Sequence, residues 1–444
     1  MDYFTLVFGS IFACVFLLFL SKRNKKLPPG PIQLPIIGNL FHLLGAKPHI
    51  SLANLAKIYG PIMSLKLGQI TTIVISSSTM AKQVLQKQDQ AFSNRFIPNA
   101  LQAHNHSKFS VTWLPVSPTW RTLRRILNSN ILSLTKLDSN QHLRSQKVEL
   151  KDVIWNIVAE AGKPNLVDFF PILENIDPQR IRRNMDIHFG KLFVLFDGLI
   201  NERLEEKRRN NSEKNDVLEV FLKIREENSE EIDQNHINSL LLDIFIGGTD
   251  TTTSTVEWAM AEILRQPEIR KKVQAELAQV VGKGKPIEED DVSRLPYLQC
   301  IVKETLRMHP PVPFLLPRKG EQDVELCDYI IPKGSQVLVN VWAIGRDSAL
   351  WEEPLVFKPE RFWSSELDVR GKDFELIPFG AGRRICPGLP LAALRMVPVM
   401  VGSLLNSFNW KLEEGINPEE LDMEEKFGIT LAKACPLRAI TSPI

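Results

Sequence analysis

Phe379-Gly380-Ala381-Gly382-Arg383-Arg384-Ile385-Cys386-Pro387-Gly388 is the stretch on which the reading of this chain turns. Its glycines permit a tight loop and let the backbone come close to something flat. A helical pattern follows, from Leu391 to Phe408, so Cys386 precedes a helix N-terminus, and with Arg383 and Arg384 beside it the thiolate is favoured over the thiol. A thiolate held by amides is a metal ligand or a nucleophile. A nucleophilic cysteine needs a base, and no histidine occurs between His309 and the C-terminus. The local reading therefore leans toward an axial metal ligand, although a distant histidine folded nearby would serve the alternative.

Three further patterns surround this one. Glu304-Thr305-Leu306-Arg307 lies on a predicted helix, Leu298 to His309, that stops at Pro310 and Pro311; alone, such an i,i+3 pair is an ordinary surface salt bridge. Gly247-Gly248-Thr249-Asp250-Thr251-Thr252 interrupts a long helical pattern, His236 to Arg265, with poor helix formers. Apolar runs on both sides predict a buried helix, in which Asp250 is costly without a purpose. Trp120 and Arg124 stand four apart, on one face of a predicted helix Trp120 to Asn130. Periodicity also predicts helices at Ser51 to Tyr59, Asp152 to Ala161, Ile187 to Arg208 and Pro267 to Val281. Short strands are predicted at Ile62 to Leu67, Thr71 to Ser76, Tyr329 to Ile331 and Gln336 to Val341.

The chain has 444 residues, 44% hydrophobic and 24% charged, enough for a large core and against global disorder. Its 54 basic and 52 acidic side chains leave a net charge of +2, which excludes a dedicated nucleic-acid binder. Cys14, Cys300, Cys327, Cys386 and Cys435 are scattered without CxxC spacing. Neither a disulfide framework nor a structural zinc site is expected, and a reducing compartment is.

Tyr3 to Leu20 is an uncharged run of 18 residues, which as a helix spans about 27 Å of a ~30 Å hydrocarbon core. Lys22, Arg23, Lys25 and Lys26 follow it. That order is the reverse of a cleaved secretory signal and leaves the bulk of the chain cytosolic. The proline-rich stretch from Leu27 to Gly38 excludes regular structure and reads as a stiff hinge. The expected organisation is an anchor at 1–21, a basic and proline-rich hinge at 22–38, and one domain at 39–444, with no repeat and no second apolar span.

FGAGRRICPG resembles the cysteine loop of the cytochrome P-450 superfamily of haem-thiolate monooxygenases, and the other motifs recur in that family's order along nearly the whole chain. The resemblance implies a mainly α fold with a small β-sheet, the cytochrome P-450 fold, preceded by one N-terminal transmembrane helix. It implies haem, an iron protoporphyrin with Cys386 as its metal ligand, the axial thiolate pushing electron density toward dioxygen to favour O–O cleavage. Arg384, Trp120, Arg124 and Arg318 would serve the haem propionates, and Phe379 would pack near the sulfur. Glu304, Arg307 and Arg361, the last from a PERF sequence at 359–362, would form a buried structural triad. Asp250 and Thr251 would be the catalytic pair that relays protons to bound dioxygen. The substrate pocket would take in Phe96, Leu101, Phe109, Phe245, Gly247, Val312, Phe314, Leu315, Phe427 and Ile429. The implied partners are an NADPH-dependent flavoprotein reductase, membrane lipid, a small hydrophobic substrate and dioxygen, and no nucleic acid. The implied location is the endoplasmic reticulum membrane, single-pass, with the catalytic domain cytosolic. Asp373 to Ala392 and Leu421 to Ala439 look like the plant geraniol 8-hydroxylase group, which implies hydroxylation of a terpenoid such as geraniol.

Two features depart from the family. Near 144–151 the chain runs roughly 40 to 50 residues short. Lost helices there are expected to uncover apolar area on the Gly247 helix. Leu391 to Met396 is one residue too long, which turns the rest of that helix by about 100° unless a bulge absorbs it. Three readings follow: a reductase-dependent monooxygenase, a reductase-independent isomerase or dehydratase of the same fold, and a truncated, inactive or merely haem-binding member.

Overall fold

Alternating apolar residues on either side of Gly68 fold Ile62–Leu67 (β1) back on Ile70–Ile75 (β2), with Leu67 opposite Ile70 and Gly68 at φ +58° in the turn. The computed structural model describes residues 26–43, 45, 47–128, 147–210, 217–227, 231–413 and 415–444. The anchor read at 1–21 lies outside these, as do hinge residues 22–25 and 144–146, where the shortened stretch begins.

Strands β3 (Asn94–Arg95) and β4 (Arg318–Lys319) pair antiparallel, and β7 (Gln336–Val339) lies between β4 and β2, completing a five-stranded sheet in the order β1-β2-β7-β4-β3. A hairpin of β5 (Val324–Leu326) and β6 (Tyr329–Ile331) stands beside it. Near the C-terminus, β8 (Phe408–Leu412) pairs with β11 (Ala439–Pro443), and β9 (Glu425–Lys426) with β10 (Ala432–Lys433).

Helices make up most of the rest, and each expected one is present: Pro48–Tyr59, Pro118–Ile126, Lys147–Ala161, Ile181–Asn210, Gln234–Arg265, Pro267–Val280 and Pro296–Met308. Most start earlier than periodicity indicates. Apolar periodicity begins at the first inward residue, whereas a helix begins at its cap. Ser117 accepts from the Trp120 amide and Asp233 from the His236 amide, and proline, which needs no hydrogen bond at N1, opens four of these helices.

The extra residue after the cysteine loop is absorbed as a π-turn. Leu389–Leu391 is followed by Ala392–Met396 in π geometry, the Val397 amide bonding back to the Ala392 carbonyl, and α-helix resumes over Val397–Ser407. By length and composition alone, Leu389–Ser407 is long and apolar enough to cross a membrane, a span that the sequence reading missed. Its Val397, Val401 and Leu405 are packed into the main core with Ile263, Leu298 and Ile301. Each fully buried side chain of this kind contributes ~1.5–3 kcal/mol.

Candidate active site

Gly380 and Gly382 have φ of +72° and +70°, and a Cβ on Gly382 would lie 2.0 Å from the Leu85 carbonyl oxygen, so the cysteine loop tolerates no side chain there. The loop closes where the Cys386 amide donates to the Phe379 carbonyl at 2.9 Å, the Phe379 ring packing at the edge of the core. The Gly388 and Leu389 amides lie by the Cys386 sulfur and favour its charged form. Two expectations about this thiol need correction. Arg383 points outward onto Asp89, at 2.8 Å, and Arg384 commits its donors to backbone carbonyls. The cation that acts on the sulfur is Arg124, from the Pro118–Ile126 helix, which also bonds the Ile385 carbonyl. Burial pushes the Cys386 thiol up, against the opposing pull of the Gly388 amide, Arg124 and the Leu389 amide. The polypeptide alone therefore leaves a thiol, and a metal cation on the sulfur is what deprotonates such a group.

Four guanidiniums converge behind this loop. Arg95 and Arg318 face each other directly across β3 and β4, a like-charged cross-strand pair that is unfavourable in itself. Arg318 is 3% and Arg384 6% exposed, while Arg95 and Arg124 are half-buried. Among the described residues none of the four forms an ion pair with a carboxylate. Arg95 donates to the Thr112 and Leu316 carbonyls, Arg318 to those of Phe92 and Ala381, and Arg384 to those of Ser93, Val111 and Leu114. Burial, then mutual repulsion, pulls Arg95 well below the usual arginine range and Arg384 down to about 9; burial is the main cause that brings Arg318 to about 10. Guanidiniums keep their protons in proteins, so these shifts express an unmet demand for anions. A planar iron complex carrying two carboxylates fits the set: a sulfur donor and a cationic cluster in which no guanidinium is ion-paired among the described residues. Trp120 is placed differently from the expectation. Its indole N–H donates to the Val111 carbonyl at 3.0 Å, and its ring lies 4.6 Å from the Arg384 guanidinium, so it supports the arginine. Arg95 was missed because a lone arginine on a two-residue strand carries no sequence signal.

Asp243, also missed, ties the long helix Gln234–Arg265 to the loop that supplies those carbonyls. It accepts from Ser110 Oγ at 2.7 and 2.8 Å and from the Thr112 amide at 3.3 Å, and meets His106 Nε2 at 3.3 Å. An acid inside the run Leu240 to Ile246 was a readable signal, the same one that singled out Asp250.

The protein itself buries the long helix toward both ends, and Asp250 at its middle is half-buried where the sequence led to a buried acid. Gly247, Gly248 and Thr249 are exposed and Asp250 half-buried, whereas Leu240, Leu242 and much of Val256 to Leu264 face the core. The glycines do not break the helix. Thr251, Thr253 and Thr255 each donate a hydroxyl to the carbonyl four residues back, Thr251 to Gly247 at 2.6 Å, so these hydroxyl protons are committed to the helix's own backbone. The Thr251 oxygen keeps its acceptor capacity. No exposed large apolar side chain among the described residues belongs to this helix, so the apolar area expected to be uncovered there is not seen.

Glu304, Arg307 and Arg361 are brought together. Arg307 grips Glu304 with two bonds of 2.6 and 2.7 Å, both side chains fully buried, and Arg361 Nε donates to Glu304 at 3.0 Å. The Lys358 amide also donates to Glu304, and Arg307 reaches the carbonyls of Gly345, Pro354 and Val356.

The ten pocket residues do not all meet. Phe314 and Phe427 are in edge contact at 5.8 Å; Ile429 lies against Gly162, at the end of the Lys147–Ala161 helix; Phe245, partly buried, stacks on Phe196 at 5.7 Å. Leu315 packs beside Gly380, the Phe96 amide bonds the Pro317 carbonyl, Val312 is half-buried, and Gly247 is open. Two differ from the expectation. Leu101 is 6% exposed in a core cluster with Trp113, Met185 and Phe189, because its turn packs under the Ile181–Asn210 helix. Phe109 meets His236, at the start of the long helix and away from Gly247.

The sequence model of the family described as "Cytochrome P450" matches residues 28–149 and 136–434, in two segments that meet around 136–149. Geraniol 8-hydroxylase of Catharanthus roseus is 60% identical over 496 aligned positions that cover 100% of both chains, and geraniol 8-hydroxylase of Swertia mussotii is 58% identical, covering 100% of this chain and 99% of that one. Geranylhydroquinone 3''-hydroxylase of Arnebia euchroma is 50% identical, with 100% and 99% covered. A zebra fish cytochrome P450 solved with progesterone shares the fold, with a TM-score of 0.72 and 23% identity over 89% of this chain and 99% of that chain. With a candidate sulfur ligand, an arginine cluster without ion pairs among the described residues and these matches in place, the chain belongs to the cytochrome P450 family.

Proposed function

We propose that this protein is a membrane-anchored monooxygenase that hydroxylates a small terpenoid alcohol such as geraniol, with electrons from NADPH delivered by a flavoprotein reductase. The observation that carries the reading is the half-buried thiol of Cys386 beside four guanidiniums, none of which forms an ion pair with a carboxylate among the described residues. Haem bound there supplies dioxygen activation and insertion of one oxygen atom. Cys386 is its ligand, and Arg95, Arg124, Arg318 and Arg384 hold its carboxylates. Thr251 and Asp250, in the glycine-containing stretch of the long helix, handle protons, and Phe245, Phe314, Phe427 and Ile429 supply apolar walls that suit a terpenoid. The test is microsomal protein with reductase and geraniol: hydroxylated product is expected only with NADPH and dioxygen, and product formed without NADPH would favour the isomerase reading instead.

Localisation in the endoplasmic reticulum membrane, with the 39–444 domain cytosolic, belongs to the same proposal. Its support is the uncharged run at Tyr3 to Leu20 with the basic residues after it, and an apolar surface that includes residues following them in sequence. Ile32 is 72% and Ile36 78% exposed, and so is Ile172, at 78%. The segments that carry them meet at the β1–β2 turn, where the Gly68 amide bonds the Ile37 carbonyl and the Gln69 amide the Phe169 carbonyl.

Two substitutions probe the assigned roles. Thr251→Ala is expected to leave haem bound while diverting NADPH electrons into hydrogen peroxide; unchanged coupling of NADPH to product would place the proton path elsewhere. Arg95→Leu removes one of four mutually repelling charges. It is expected to leave the haem-free chain as stable or more so while haem is lost several-fold faster; equal haem retention would take Arg95 out of the site.

A second reading, a chain that holds haem but turns over poorly, rests on length. The aligned positions with the Catharanthus relative number 496 against 444 residues here, and the family match breaks at 136–149. A normal reduced carbon-monoxide spectrum without NADPH-dependent product would select it.

A further inference from the structure

A second buried charge network lies away from the cysteine loop, at the base of the β9–β10 hairpin. Glu425, 9% exposed, is its hub. One carboxylate oxygen accepts from His49 Nε2 at 2.8 Å; the other accepts from the Trp342 indole at 3.0 Å and Arg346 at 3.5 Å, and lies 3.8 Å from His309 Nδ1. His309 in turn meets Glu262 of the long helix at 2.9 Å and stacks flat on Trp258 at 3.9 Å. These groups come from four separate segments: the N-terminal turn of the Pro48–Tyr59 helix, the stretch 342–346, the end of the Pro296–Met308 helix and the long helix. Nothing in the haem chemistry uses them.

The hairpin tip beyond Glu425 carries Phe427 and Ile429. Residues two apart on a strand point to the same side, and here one ring serves both: His49, fully buried, donates to Glu425 and stacks on Phe427 at 5.6 Å with the rings 14° apart. An ionised carboxylate is an acceptor only, so the proton lies on His49 Nε2 and the ring plane is set by Glu425. Phe427 then meets Phe314 at 5.8 Å. The far side of the tip is held by backbone: the Leu431 amide donates to the Pro311 carbonyl at 2.7 Å, and the Leu431 carbonyl accepts from Ser254 Oγ and the Trp258 indole. Backbone contacts thus fix where the tip is, and the Glu425–His49 pair fixes how its aromatic side chain faces.

We propose that Glu425 is a positioning residue for substrate selection, acting through the His49 ring to set Phe427 as a wall of the substrate pocket. The inference rests on the reading of this protein as a haem monooxygenase with Phe427 and Ile429 in its pocket. It concerns specificity and not the chemical step, because no group of the network touches the cysteine loop or the Gly247 turn.

The test uses anchored holoenzyme and two spectral titrations, one with geraniol and one with imidazole, which binds haem iron and does not need the Phe427 wall. Glu425→Gln and His49→Ala are each expected to weaken geraniol binding roughly tenfold and to change the ratio of hydroxylated products. Imidazole affinity and the reduced carbon-monoxide band should stay at the wild-type level. Unchanged geraniol affinity and product ratio in both variants would overturn the proposal, as would a parallel loss for geraniol and imidazole, which marks general damage. Should Glu425→Gln fail to accumulate, His49→Ala alone decides, since it removes the ring and leaves the carboxylate its Trp342 and Arg346 partners. Failure of the wild-type protein to bind imidazole or show the carbon-monoxide band would instead overturn the haem reading, a different result.

Discussion

Cys386→Ala is expected to abolish the thiolate-ligated reduced carbon-monoxide band and all NADPH-dependent turnover while leaving the chain folded. The sulfur contributes little to the fold itself. The loop is closed by the Cys386 amide to the Phe379 carbonyl, a bond that alanine keeps, and by Gly380 and Gly382 in conformations that the substitution does not touch. What is lost is the sulfur atom assigned as the ligand, beside the Gly388 and Leu389 amides. Cys386→Ser sharpens the test. A hydroxyl preserves shape beside the same amides, yet it does not become an anion where burial already pushes a thiol up. Serine should therefore also lose the band. A variant of either kind that kept it would remove the ligand assignment and the function built on it.

Glu304→Ala is the second large effect, and it acts on the fold. The substitution strands the fully buried Arg307, and Arg361 with it, around a missing carboxylate, and deprives the Lys358 amide of its acceptor. Breaking a buried pair in this way typically costs about 3–5 kcal/mol, a large part of a total stability of ~5–15 kcal/mol. Little soluble, haem-loaded protein is expected, and the denaturant midpoint of what survives should fall steeply. Arg307→Lys should recover only part of the loss, because an ammonium cannot reproduce the two-bond grip on Glu304 together with the reach to Pro354 and Val356. An unchanged midpoint in Glu304→Ala would show that the three residues are dispensable to the fold.

The triad shows how local signals and long-range closure divide. Glu304 and Arg307 are one helical turn apart and readable as a pair, but their complete burial depends on Trp351, Val356 and Arg361 arriving from a segment some fifty residues on. Cys386 divides the same way. That it is the candidate ligand was legible in a loop where glycine is required at two positions. Which cation faces it was not: Arg383 turns to Asp89 and Arg384 to backbone carbonyls, while Arg124 comes from a helix far back in the chain.

The amino-acid sequence by itself determined the helices and the β1–β2 hairpin, the cysteine loop, and the surplus residue that became a π-turn at Ala392–Met396, because each depends on residues within a few positions of one another: apolar period, cap, turn glycine, helical register. Only the tertiary structure decided that Arg95 faces Arg318, that Asp243 holds the 110–114 loop, and that Glu425 reaches His49. Those contacts join positions tens to hundreds of residues apart, and no local periodicity encodes a partner that arrives only when the chain has closed around its core.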